Sequence, residues 1–142
     1  MKLSIMSLSE ALIYTPQSKT YGIRIGSEFD LFHIMTLKES KNWVKIFDYY
    51  FDDVWPGCLG GITPRDALFN NQLAQKIISD FDTYKNQTDH LLVHCSAGQN
   101  RSPAVAMALN DIFNLGNNSE KLKEKYPRYN KFVYETLLKN SN

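Results

Sequence analysis

Cysteine is scarce in this 142-residue chain, and the two present, Cys58 and Cys95, cannot build the disulfide framework of a small secreted domain. Nor do they join a Cys/His cluster of the kind that holds zinc, so a reduced, cytoplasmic protein without metal or cofactor is the expectation. No apolar run approaches the ~20 residues of a membrane helix. The first residues, MKLSIMSLSEALIYTPQ, lack the unbroken apolar centre of a secretory signal, and the protein is expected to stay where it is made. Neither sign of charge is in excess: 16 Lys and Arg stand against 15 Asp and Glu. That balance disfavours a protein that holds nucleic acid or a membrane surface through bulk charge, so any phosphate site must be local. With 43% hydrophobic and 22% charged residues and no repeat or linker, the length suits one domain, 1–142, expected as a monomer.

Secondary structure follows from periodicity and punctuation. Residues 3–14 and 21–37, rich in Ile, Leu, Phe and Tyr and broken at Pro16, Gly22 and Gly26, read as short strands. Trp43–Phe51 reads as another, leading into Asp52–Asp53 and a loop, VWPGCLGGITP. Thr63, Pro64 and Asp66 form an N-terminal capping signature, which predicts a helix from there to about Tyr84 with Phe69, Leu73, Ile77 and Phe81 inward. Leu91–His94 is a short buried strand, followed by a loop and a helix ending at Gly116. A short helix at Ser119–Lys125, a break at Pro127 and an amphipathic helix with Phe132, Val133 and Leu137 inward complete the chain.

The chemistry sits in VHCSAGQNRSP. Five residues separate Cys95, at the end of a strand, from Arg101, at the start of a helix. A loop of that length on a helix N-terminus can turn successive N–H groups inward as a cradle for a tetrahedral oxyanion. Ser96, Ala97, Gly98, Gln99 and Asn100 would form it, with Gly98 relieving crowding in the turn and Asn100 tying the loop's own backbone. Arg101 offers two oriented donors to two phosphate oxygens, which Lys cannot reproduce. Amides, helix dipole and guanidinium together favour an anionic, nucleophilic Cys95, and Ser102 is placed to donate to its sulfur.

These residues resemble the signature of the cysteine-dependent protein tyrosine phosphatases, H-C, five residues, R, then S or T. From Trp43 to Gly116 the order of elements is similar to the compact dual-specificity branch. The resemblance implies Cys95 as nucleophile, 96–100 as phosphate loop, Arg101 as transition-state clamp, Ser102 as thiolate stabiliser and His94 as a brace. It also implies an Asp on a mobile upstream loop that acts as general acid and then base. Asp53 is the first choice for that role, Asp52 and Asp66 the alternatives: Asp52 falls on the opposite side of the strand, and Asp66 suits a helix cap. The fold implied is α/β, a central and mostly parallel sheet with helices on both faces and the site at the C-terminal end of the Leu91–His94 strand.

The expected activity is hydrolysis of phosphomonoesters through a phosphocysteine, on phosphotyrosine in proteins first and with dual specificity in a shallow pocket. Three rivals stand beside it. Asn100 before Arg101 is similar to the motif of metal-independent RNA 5′-triphosphatases in the same superfamily; the others are a module that binds phosphorylated partners without turnover, and a handler of another oxyanion. Cys58 reads either as a disulfide partner for Cys95 or as a loop cysteine without a role. Trp55–Pro56 reads as a lid or as loop packing, and Lys121–Arg128 as a solvated face or a contact for an acidic partner. His33 and His90 read as structural or surface residues.

Overall fold

The computed structural model describes residues 1–141. Four strands, β1 (Lys2–Met6), β2 (Thr20–Gly26), β3 (Trp43–Tyr50) and β4 (His90–His94), form one sheet in the order β1-β4-β2-β3, every neighbouring pair parallel. The expectation of a mostly parallel sheet is thus met in full. Among the described residues five helices accompany it: α1 (Leu8–Ile13), α2 (Asn71–Tyr84), α3 (Arg101–Phe113), α4 (Ser119–Lys125) and α5 (Lys131–Lys139).

Side-chain alternation divides the sheet into two unlike faces. Tyr21, Ile23, Ile25, Tyr49, Leu91 and Val93 face one way into a core built with Ala74, Ile77 and Phe81 of α2, Val105 and Leu109 of α3, and Val133 and Leu137 of α5. The other face carries Arg24, His90 and His94, all buried. It is covered by Tyr14, edge-on to His90 at 6.0 Å, and by the 3₁₀ turn Phe32–Ile34. Gly26 is required there: a Cβ would fall 2.1 Å from the Phe32 ring.

Three stretches depart from expectation. Beyond Gly26, residues 27–37 form no strand, and Phe32–Ile34 make a 3₁₀ turn. Residues 8–13 are helical, not a strand, because Ser7 and Glu10 close a capping box: Ser7 Oγ accepts from Glu10 N and Ser7 N donates to Glu10 Oε1. The second helix begins at Asn71, capped by Asn70, and not at Thr63. Asp66 does cap locally, accepting from Thr63 N and Oγ1, but the turn is not continued. Ala67 exchanges two hydrogen bonds with Asp52 in place of helical ones, and Phe69 drops against Phe51 with ring centroids 4.7 Å apart. Packing of the Asp52–Phe69 loop overrides the cap. The later elements fall close to where periodicity puts them, with α3 starting at Arg101 and closing through left-handed Asn114 before Gly116.

Candidate active site

β4 ends at His94 and α3 begins at Arg101, so the loop between them is held by the sheet at one end and a helix at the other. Cys95 is 3% exposed. Its Sγ lies 3.1 Å from Ser102 Oγ in the first turn of α3 and accepts from Gly98 N at 3.2 Å. The amides of Ser96, Ala97, Gln99 and Asn100 find no acceptor among the described residues. Backbone donors left open beside a sulfur at a helix N-terminus suit an oxyanion.

Gly98 is the hinge of this loop, at φ +73. It is also pressed against the chain leaving β1, where a Cβ would lie 2.7 Å from Met6 C and Ser7 N. The same contact brings Leu8 N onto Ser96 O at 3.1 Å and Cys95 N onto Met6 O at 3.4 Å. The β1–α1 junction, absent from the sequence reading of the site, therefore supports the loop from below.

Arg101 is 8% exposed. Its guanidinium donates to Phe51 O at 2.9 Å and reaches Ser27 Oγ and Ser96 Oγ at 3.4 and 3.3 Å. No carboxylate pairs with it among the described residues, so a nearly buried cation is left facing the loop without a counter-ion. Asn100 departs from expectation. Its side chain caps nothing, and its carbonyl accepts instead from Asn130 N at 2.9 Å.

The two acids after β3 part company. Asp52 Oδ2 accepts from Ala67 N while Asp52 N donates to Ala67 O at 2.8 Å, a pair of bonds that closes the 52–67 loop. Asp53 Oδ1 accepts from Asn130 Nδ2 at 2.9 Å, and the same amide reaches Val54 O. Asn130, the buried N-cap of α5, thus ties the Asp53 loop to the Cys95 loop. An Asn preceding an amphipathic helix is a readable cap signal, but nothing local ties it to residues 53 and 100.

His94 Nδ1 lies 3.3 Å from Cys95 O and its Nε2 accepts from Arg24 Nε at 2.9 Å. Burial pushes His94 down to about 4, with the nearby Arg24 charge adding to the effect and the Cys95 carbonyl opposing it. His90, four residues earlier, is held by Ser4 Oγ and Tyr14 OH, and burial pushes it down to about 4 as well. Among the described residues no cluster of three or more His, Cys, Asp or Glu is placed to hold a metal ion. Cys58 is a free thiol bonded to Gly61 O, and Cys95 is free as well.

No protein-family model matches the sequence, and no curated protein matches it. Solved structures do. A human tyrosine phosphatase-like serine/threonine/tyrosine-interacting protein superposes with a TM-score of 0.61 at 15% identity, over 96% of this chain and 89% of that one. Tk-PTP in its active form gives 0.52 at 16% identity, over 98% and 89%. PTPMT1 gives 0.53 at 14%, over 99% and 89%. The fold is that of the protein tyrosine phosphatases. In this phosphatase fold the parallel sheet delivers Cys95 to the carboxyl end of a central strand, where α/β folds bind ligands.

Proposed function

We propose that this chain is a cysteine-dependent phosphomonoester hydrolase that works through a phosphocysteine and takes phosphotyrosine in proteins first. The observation that carries the reading is the setting of one sulfur. Cys95 Sγ sits within 3.1–3.2 Å of Ser102 Oγ and Gly98 N, at the head of α3, beside an arginine without a counter-ion.

Cys95 attacks phosphorus in line with the departing oxygen, forming an S–P bond as the P–O bond breaks. The open loop amides and the Arg101 fork hold the three equatorial oxygens, whose charge grows in the transition state. Asp53 gives its proton to the leaving oxygen. It then takes one from the water that attacks the phosphocysteine, which releases phosphate and the thiolate. Ser102 donates to sulfur as it leaves, lowering the barrier to the second step.

The test is Cys95→Ser assayed on phosphotyrosine peptide and nitrophenyl phosphate. Hydrolysis should vanish while vanadate binding remains, and acid quench of the wild type during turnover should trap phosphate on Cys95. Surviving turnover in the variant overturns the covalent scheme. A wild type that binds phosphopeptide but never releases phosphate is a binding module instead.

A further inference from the structure

Next to the loop tied by Asn130 is a cavity of about 520 Å³. Trp55 and Pro56, after the Asp53 turn, form one side; Arg128–Phe132 and Glu135, at the start of α5, form the other. Asn130 belongs to this wall and also bonds both Asp53 and the Asn100 carbonyl. Through Asn130 the cavity adjoins the loops that carry Asp53 and Asn100.

Its lining has a particular chemistry. Trp55 is 41% exposed, and Tyr129 and Phe132 are half-buried, so aromatic surface is open to a ligand. Arg128 and Lys131 are exposed, and among the described residues neither makes a side-chain hydrogen bond, ion pair or aromatic contact. By contrast Lys76, Lys85 and Lys123 are each paired with an acid on their own helix or the turn beyond it. Glu135 is the one acid of the lining, leaving the groove cationic by a single charge. That is too little for a polyanion but enough to prefer one or two carboxylates.

We propose that this groove binds the polypeptide flanking the phosphorylated residue and selects acidic side chains there. The proposal rests on the phosphatase reading above and deepens it: the substrate is a phosphoprotein segment with Asp or Glu beside the phosphorylated residue. Aromatic walls supply contact area, and Arg128 and Lys131 supply the charge preference.

The experiment compares phosphotyrosine peptides flanked by Glu or by Ala, in the wild type and in Arg128→Glu/Lys131→Glu, with nitrophenyl phosphate as the control. The acidic peptide should be favoured roughly fivefold in kcat/KM, through KM, as two exposed charge pairs allow. The double variant should lose or invert that preference while hydrolysing nitrophenyl phosphate at the wild-type rate. Equal use of both peptides by the wild type, or a preference that survives charge reversal, overturns the groove. Faster release from 5′-triphosphorylated RNA than from any peptide, abolished by the same variant, overturns the peptide as occupant. If the wild type leaves nitrophenyl phosphate intact, it is the phosphatase reading that fails. Peptide titration of the double variant and wild type by tryptophan fluorescence then decides the groove on binding alone.

Discussion

Arg24 Nε donates to His94 Nε2 across 2.9 Å, from one strand to its parallel neighbour, with Arg24 4% and His94 0% exposed. An arginine Nε always carries its proton, so His94 Nε2 must be bare and the ring proton sits on Nδ1, facing the Cys95 carbonyl. Arg24 Nη2 donates to the Phe32 and Met35 carbonyls, and no carboxylate forms an ion pair with the guanidinium among the described residues. A buried guanidinium thus selects the tautomer of the histidine that precedes Cys95.

Removing that guanidinium in Arg24→Met should free His94 to exchange tautomers and loosen the Cys95 carbonyl. A misplaced nucleophile loses about a hundredfold in rate, so kcat on nitrophenyl phosphate should fall by that order with KM nearly unchanged. Nitrogen NMR of the imidazole reads the tautomer directly. A single Nδ1–H form persisting in a slow variant would leave the rate loss without this cause.

Acid should destabilise the fold through its two buried histidines. In the unfolded chain both take up protons near 6.5, whereas burial holds His90 and His94 to about 4 in the folded one. Between those values the unfolded state binds more protons, so stability is complete above about pH 6.5 and declines as pH falls toward 4. The pair accounts for about 2–4 kcal/mol between pH 7 and pH 5. Urea unfolding at the two pH values measures it, and His90→Gln should roughly halve the difference. A flat profile would mean that both histidines are charged inside the fold.

The contrast between Cys95 and Arg24 marks how far the residue order could be read. Cys95, Gly98, Arg101 and Ser102 lie within eight positions, and the strand and helix around them are local patterns, so the cradle and its α/β setting are legible. Arg24 reads as one charge in an apolar strand, TYGIRIG, until parallel register puts it opposite His94. Its only signal is the small residue on either side, Gly22 and Gly26, which lets other chain cover that face. Asn130 is illegible for the same reason: a helix cap carries no mark of the loops it bonds 30 and 77 residues away. Thr63 and Asn70 are both sound caps, and the choice between them falls to Ala67, which is already engaged by Asp52.

Gly98 and Gly61 share a left-handed backbone, at φ +73 in each, but not a setting. Nothing lies within 4 Å of a Cβ on Gly61, whereas one on Gly98 would strike the Met6–Ser7 backbone. Gly61→Ala should lose only the conformational term, about 1 kcal/mol. Gly98→Ala must also push the cradle off β1, so it should lose at least about 3 kcal/mol by urea unfolding and most of its vanadate affinity. Equal losses would show that the junction yields freely.

Arg101→Lys tests geometry apart from charge. Lysine keeps the positive charge but not the fork that spans Phe51 O and Ser96 Oγ. The loss in kcat should be about a hundredfold or more, the scale of one oriented transition-state donor, with vanadate still bound weakly. A change within threefold would remove Arg101 from the role of clamp.

Asp53 and Asp52 can be separated by leaving group. Asp52 is engaged twice by Ala67, so Asp52→Ala should lower stability by about 1–2 kcal/mol and slow phenyl and nitrophenyl phosphate in the same proportion. Asp53 accepts only from the Asn130 amide, through Oδ1, and its Oδ2 has no hydrogen-bond partner among the described residues. Asp53→Asn keeps that acceptor and should fold normally. Without the acid, phenyl phosphate should slow by about 10²–10³ while nitrophenyl phosphate, whose leaving group departs as an anion, slows far less. Rates on the two esters at matched pH give the ratio. If it is the same in Asp53→Asn as in the wild type, the proton comes from elsewhere.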